Sequence, residues 1–345
     1  MKTSKNSSKP RTIVNANSDT ADEALFEETA GAQDIVAESQ EMRPPKNVFT
    51  AVIKAMRPRQ WIKNVLVLMA PVSAGAAVIT DPEVLLQTFY AFVAFCLASS
   101  SIYFINDARD VEADRAHPTK RFRPIASGVL PIWLAYVMGV LLMVTAIGFA
   151  WGLSGHALAI VIAVYIVLQL GYCFGLKHQL VLDIVLVSSG FLLRAIAGGV
   201  AADVPLSQWF LLVMAFGSLF MASGKRYAEK ILAEREGREI RAVLNQYTGT
   251  YLRFVWTMSA TALILSYCLW AFQQGQLVAG VPGGAKLWYE ISMVPWTVAV
   301  MRYAVDVDRG DAGAPEDIAL KDHVLQVIAV VWLVCIIFAV YVFGA

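Results

Sequence analysis

Beyond residue 46 the chain alternates between long apolar runs and shorter polar connectors. A helix needs roughly 17–25 apolar residues to cross a bilayer. Nine runs meet that need: 62–79, 84–105, 129–151, 156–174, 180–201, 207–223, 254–273, 287–305 and 323–343. In lipid a backbone N–H or C=O finds no solvent partner, so such runs close on themselves as helices. The pattern predicts an all-α, polytopic membrane helical bundle of nine transmembrane helices over residues 47–345. Residues 1–46 are different. They are rich in Ser, Thr, Asn, Asp, Glu and Ala and close on Pro44-Pro45. Without a long apolar core they are no secretory signal, and they read as a disordered cytoplasmic tail acting as a spacer.

The placement of basic residues orients the bundle. The connectors after runs two, four, six and eight (106–128, 175–179, 224–253 and 302–322) hold sixteen Lys and Arg, and the other four hold one, Lys286. Basic connectors stay on the cytoplasmic side. The N-terminus and the even connectors are therefore expected inside the cell membrane, and an odd number of spans leaves the C-terminus outside. Composition agrees, with 57% hydrophobic and 16% charged residues, where soluble domains carry about a quarter charged. A net charge of +1 gives no field that would call for nucleic acid. Four Cys without a CxxC pair and four scattered His suggest neither a disulfide framework nor a zinc site. The pattern leaves a homo-oligomer open.

The chemistry gathers in two of the inner connectors. The first begins Asn106-Asp107-Ala108-Arg109-Asp110-Val111-Glu112-Ala113-Asp114-Arg115. If the preceding helix continues, Asn106, Asp110 and Asp114 stack on one face, Asp107 flanks it and Glu112 points away. Carboxylates so arranged repel one another until a cation neutralises them. Hard oxygen ligands of this kind suit Mg²⁺ bridging to a phosphate-bearing substrate. The plainer alternative is a solvated helix end with salt-bridged charges. Lys120, Arg121 and Arg123 follow and offer donors to phosphate oxygens. Beside the acidic stripe they make the other half of a diphosphate site. Arg57, Arg59 and Lys63 surround Trp61 where the first run opens; Trp61 suits an interfacial anchor, and the three basic side chains could grip phosphate.

The second connector starts with Lys225, Arg226 and Glu229 at the end of run six. A surface helix with i,i+4 ion pairs accounts for 230–245, and its first turn has the makings of a site. Within the apolar runs Asp183 and Arg194 stand out, because a charge in lipid is expensive. They share a face but lie too far apart to pair. Asp183 falls near Tyr172 and Lys177. Arg194 lies deeper, where a structural partner and a substrate role are both open.

These residues carry a resemblance. Asn106–Asp114 is similar to the NDxxDxxxD motif of the UbiA prenyltransferase superfamily, and Tyr172…Leu176-Lys177…Asp183 resembles its YxxxLK…D segment. Longer stretches (RPRQWIKNVLVLMAP, NDARDVEADRAHPTKRFRPIASG, SSGFLLRAIAGGVAA and MASGKRYAE) resemble the branch of that superfamily that moves phosphoribose onto a polyprenyl phosphate. The likeness implies 5-phosphoribosyl 1-diphosphate as donor, decaprenyl phosphate as acceptor and a product that feeds cell-wall arabinan. It implies Mg²⁺ held by Asn106, Asp107, Asp110 and Asp114, the three carboxylates being catalytic. It also implies substrate binding by Lys63, Asn106, Lys120, Arg121, Arg123, Tyr172, Lys177, Asp183, Arg194, Lys225, Arg226 and Glu229. One departure matters: most members carry a second, DxxxD-like cluster after span six, and Lys225-Arg226-Tyr227-Ala228-Glu229 stands there instead. That speaks against prenyl transfer to an aromatic acceptor. An anionic-lipid or metabolite transporter is the rival from another class, but broken helices and pseudo-symmetric halves are not evident.

Overall fold

A computed structural model describes residues 43–236, 242–278, 284–309 and 322–343. Most of the tail, residues 1–42, lies outside the described residues. So do 310–321 of the last inner connector.

The described residues are helical throughout. A short amphipathic helix α1 (Val48–Met56) opens the domain, its N-terminus closed by reciprocal hydrogen bonds between Asn47 and Thr50. A 3₁₀ segment (Pro58–Leu68) follows, then the short helices α2 (Met69–Ser73) and α3 (Ala76–Ile79). Long helices come next: α4 (Pro82–Arg109), its short extension α5 (Val111–Ala116), α6 (Ile132–Ser154), α7 (His156–Cys173), α8 (Leu182–Ala201) and α9 (Gln208–Glu236). The short α10 (Ala242–Gln246), then α11 (Gly249–Leu277), α12 (Ala285–Arg309) and α13 (His323–Ile337) complete the order.

Six of the described helices are long and apolar enough to span a membrane: α4, α6, α7, α8, α11 and α13 with its continuation to Val342. α9 and α12, at 29 and 25 residues, coincide with runs six and eight but carry more polar residues. The polytopic helical class therefore stands, and the count of nine is approximate. The clearest difference is at run one. Where 62–79 predicts one regular helix, the chain is a 3₁₀ segment followed by two short helices. A 3₁₀ segment rises about 2.0 Å per residue against 1.5 Å for an α-helix, so its 11 residues stretch further. Three tertiary ties hold it so. Trp61 Nε1 donates to Ser100 Oγ at 3.1 Å. Asn64 Oδ1 accepts from Arg194 Nε at 2.7 Å. The Val67 carbonyl lies directly against Gly198 on α8, where a Cβ would clash. Trp61 is thus half-buried and bonded within the bundle.

Among the described residues four hydrophobic clusters result, and the two largest define the halves of the bundle. α4, α6, α7, α8 and the 3₁₀ segment share a core of Ala91, Phe95, Ile102, Leu158, Ile162 and Tyr165. α9, α11 and α12 share another built on Phe220, Tyr227, Leu252, Trp256 and Val307. α8 packs against both α7 and α9 and so joins the halves. Small residues on its inner face (Ala195, Ala197, Gly198, Gly199, all buried) permit the close approach that helix association in lipid relies on. The outcome that matters for function is that the described parts of the charged connectors meet at one end, tied by Lys177 to Asp110, Tyr247 to Val181 and Arg253 to Asp308.

Candidate functional site

The acidic stripe sits where α4 gives way to α5. Asp110 (φ −91°, ψ 11°) departs from helical geometry, yet the backbone bonds run on, Asp110 N–H to the Asn106 carbonyl at 2.9 Å and Asp114 N–H to the Asp110 carbonyl at 2.8 Å. The face therefore survives the joint, but its grouping differs from the expected one. Asp107, which the spacing puts at the flank, is 3% exposed and central. Both of its oxygens accept from Arg57 Nη2 at 2.7 Å, and Oδ1 also accepts from Arg123 Nη1 at 3.3 Å. The same Arg123 nitrogen donates to Asp114 Oδ2 at 2.7 Å. Asp110 turns the other way, to Lys177 Nζ at 2.5 Å. Asn106 Oδ1 accepts a 3.7 Å contact from the Cys173 thiol. Glu112 points out and pairs with Arg115 at 2.9 Å.

Burial raises the Asp114 carboxyl above the usual carboxylate range, with Asp107 adding to the push; Arg123 and Lys120 oppose it without cancelling it. For Arg57, burial works against the charge, but the Asp107 carboxylate outweighs it and holds the guanidinium more firmly protonated. Arg57 also lies over the Tyr103 ring, 4.6 Å from its centroid. Among the three basic residues after the stripe, Arg123 engages both carboxylates, Lys120 is half-buried, and Arg121 is exposed over Phe122 at 4.8 Å. Lys63 is half-buried on the 3₁₀ segment.

Whether this donor set fits a divalent cation can be judged from the geometry. Among the described residues no three His, Cys, Asp or Glu side chains converge as a ready-made cage. Asp107 and Asp114, however, converge on a single point, which a cationic Arg123 nitrogen fills. Mg²⁺ is usually held by one or two carboxylates, with substrate phosphate and water completing the shell. Two carboxylates flanked by Asp110 and Asn106 fit that description.

The second group is built around Asp183 at the entry of α8. It is wholly buried. Its Oδ2 accepts from Arg226 Nε at 3.3 Å and its Oδ1 from the Tyr247 hydroxyl at 2.6 Å. Arg226 Nη1 also reaches Glu229 Oε2 at 3.1 Å. Tyr172 lies within electrostatic reach of Arg226. Arg226 is therefore a bridge between α8 and α9, not a loose cation. The i,i+4 spacing of Lys225 and Glu229 is not used as a pair, whereas Lys230 and Glu234 do pair at 3.4 Å. Lys225 is half-buried at the start of that turn and has no ion pair or hydrogen bond among the described residues.

Arg194 is not brought to either group. It is 7% exposed, donates to Asn64 and, at 2.6 Å, to the Gly190 carbonyl. Its guanidinium lies 5.2 Å from the centroids of both Phe95 and Tyr165. Between its two readings this geometry is that of a structural tie.

Sequence reasoning offered Arg57 only as one of three phosphate-gripping cations and missed its pairing with Asp107; its place before Pro58 is the available signal, because that position resists helix and frees the side chain from the regular face. Tyr247 gave no signal at all, since its partners Val181 and Asp183 lie at the entry of α8, far away along the chain.

Comparison with known proteins agrees with this architecture. The model of the UbiA prenyltransferase family matches residues 68–325. A decaprenyl-phosphate phosphoribosyltransferase from Mycolicibacterium smegmatis is 61% identical over 302 residues, covering 86% of this chain and 95% of the relative. One from Corynebacterium glutamicum is 59% identical over 308 residues, covering 89% and 92%. Among solved structures, a UbiA homologue from Archaeoglobus fulgidus bound to DMAPP and Mg²⁺ superposes with a TM-score of 0.56 at 12% identity, covering 84% of this chain and 97% of that one. At that identity the likeness bears on fold alone.

Proposed function

The chain belongs to the UbiA prenyltransferase family, and from that premise we propose that it is the membrane transferase that moves 5-phosphoribose from 5-phosphoribosyl 1-diphosphate to decaprenyl phosphate. The observation that carries this reading is the 59–61% identity to decaprenyl-phosphate phosphoribosyltransferases over more than nine-tenths of their length. In the reaction a phosphate oxygen of the lipid forms a bond to the ribose anomeric carbon. The bond from that carbon to the diphosphate oxygen breaks, and diphosphate leaves with the electron pair. The carbon takes on oxocarbenium character, as in glycosyl transfer generally.

The chain's own residues have to manage anions. The acceptor is already an anionic nucleophile, so no strong general base is needed. The larger task is to bring two anions together and to stabilise a departing diphosphate. Asp107, Asp110 and Asp114 with Asn106 would hold Mg²⁺, which supplies charge neutralisation for the diphosphate. Arg57 orients Asp107 by donating to both of its oxygens. Arg123, Lys120 and Arg121 are placed to hold diphosphate oxygens, Lys177 a phosphate beside Asp110. Lys225, a half-buried cation without a counter-ion among the described residues, suits a further phosphate of donor or acceptor. Lys63 and Tyr172 serve at the margin, while Asp183, Arg226 and Glu229 brace the second group. The polyprenyl chain runs into lipid between the helices. The basic connectors favour the cytoplasmic face of the plasma membrane for this site, with the tail inside as a spacer.

The test is to incubate purified full-length protein with Mg²⁺, labelled phosphoribosyl diphosphate and a polyprenyl phosphate. Label moving to the organic phase supports the reading. Label incorporated only from a prenyl diphosphate into an aromatic acceptor refutes it. Asp110→Asn and Asp114→Asn should each lower turnover roughly 100- to 1000-fold, and a chelator should stop it. Full activity in chelator removes the metal from the scheme.

A further inference from the structure

Tyr247 lies in the two-residue link between α10 and α11. It is 4% exposed and stacks on Tyr251, with ring centroids 5.7 Å apart. Its hydroxyl does two things at once. It donates to Asp183 Oδ1 at 2.6 Å and accepts the backbone N–H of Val181 at 2.5 Å. One phenol thus ties the second charged segment to the chain entering α8.

Val181 needs such a tie. Its backbone stands at φ +71°, ψ −48°, close to the γ-turn form and a conformation that β-branched residues rarely adopt. Left alone, it would relax toward extended geometry; strained residues persist only where their surroundings over-determine them. Four positions upstream is Lys177, in the 3₁₀ turn Leu176–His178, with its ammonium on Asp110. That turn is braced at its other end by Gly175 at φ +140°, which a side chain would not tolerate. Three backbone bonds tie the turn to the entry of α8: His178 N–H to the Gly175 carbonyl at 3.0 Å, Gln179 to Leu176 at 3.1 Å and, across Val181, Asp183 to Gln179 at 3.2 Å. A shift at Val181 therefore passes along a stiff turn to Lys177.

We propose that Tyr247 is a positioning residue, whose hydroxyl clamps Val181 in its strained conformation and thereby sets Lys177 against Asp110. The consequence for turnover rests on the functional reading above; the clamp itself does not. Arg226 holds the other Asp183 oxygen, so the buried carboxylate stays fixed and the phenol is the group that couples it to the Val181 amide.

Tyr247→Phe keeps the ring and its stacking partner and removes only the hydroxyl. Two measurements on the full-length protein in lipid nanodiscs test the clamp. In hydrogen exchange, the Val181 amide and the 175–183 peptide should exchange faster in Tyr247→Phe than in wild type, with no substrate present. In steady-state kinetics, Tyr247→Phe should lower kcat/KM for phosphoribosyl diphosphate about tenfold, the scale of one hydrogen bond to a charged group. Added to Lys177→Ala, the same change should have almost no further effect, because the residue acts through Lys177. A merely structural role would give losses that multiply. Unchanged exchange, or losses that multiply, overturns the proposal. Wild-type protein that exchanges as expected but transfers nothing from phosphoribosyl diphosphate refutes the functional reading and leaves the clamp standing.

Discussion

Replacing Gly198 by Ala would put a methyl group 1.8 Å from the Val67 carbonyl oxygen and 2.7 Å from its carbon. Both are backbone atoms, so no side chain can swing aside. Restoring ordinary contact near 3.4 Å requires α8 and the 3₁₀ segment to part by about 1.6 Å in a close-packed interior. Overpacking of this kind costs about 1–3 kcal/mol, and backbone against backbone belongs at the upper end. At ~3 kcal/mol the thermal midpoint should fall by roughly 4–5 °C for a chain of this size. The same displacement pulls Asn64 from Arg194, one turn along α8, whose 2.7 Å bond joins these two segments. Activity should therefore drop with stability. Thermal unfolding followed by tryptophan fluorescence in detergent measures the effect. Gly148→Ala and Gly152→Ala on α6 are the controls: a Cβ at either meets nothing within 4 Å, and Ala gains up to ~1 kcal/mol over Gly inside a helix. If Gly198→Ala unfolds within the range of those two, the close approach of the 3₁₀ segment to α8 is wrong.

Three further expectations follow from the charged end. Asp114 has its carboxyl raised by burial, so it takes up its proton at higher pH than a free Asp near 3.9; a metal or cation needs it ionised, activity is lost as pH falls through the raised value, and the acid limb of kcat/KM should lie above the free value and move higher still in Arg123→Gln. Lys225→Ala should weaken use of donor or acceptor by roughly 1.5–3 kcal/mol without a change in thermal midpoint, whereas Arg226→Ala should lower the midpoint as well, because it strands the buried Asp183; steady-state kinetics beside thermal melts separates the two, and a DxxxD pattern introduced at 225–229 should rescue neither. Reporter fusions should place the N-terminus inside and the C-terminus outside, and an active cytoplasmic-only reporter at the C-terminus would overturn the nine-span topology.

What the sequence determined by itself is whatever depends on neighbours along the chain. Runs two to nine appear as helices within a few residues of their expected bounds, except that the helix of run six continues to Glu236, because the cost of bare backbone in lipid is local and length alone decides it. Asp107, Asp110 and Asp114 were legible as a candidate site for the same reason: Asp110 and Asp114 share a helical face that Asp107 flanks, and carboxylates so close repel one another until a cation neutralises them. The basic connectors could be assigned to one side from their counts, and in the structure they do meet. Tertiary structure decided the rest. Run one is apolar enough for a helix, yet its course is set by Ser100, Arg194 and Gly198, none of which its own residues specify. Asp107 became central, and not a flank, only because Arg57 and Arg123 arrive from two other segments. Arg226 reads as a phosphate ligand in sequence and is a bridge in space, while Lys225 beside it is left without a counter-ion among the described residues. Tyr247 and Val181 are 66 positions apart, and no periodicity joins them. Helix period and hydropathy are short-range properties, but pairing between charges depends on which helices pack together, and that is fixed by side-chain shape across the whole bundle.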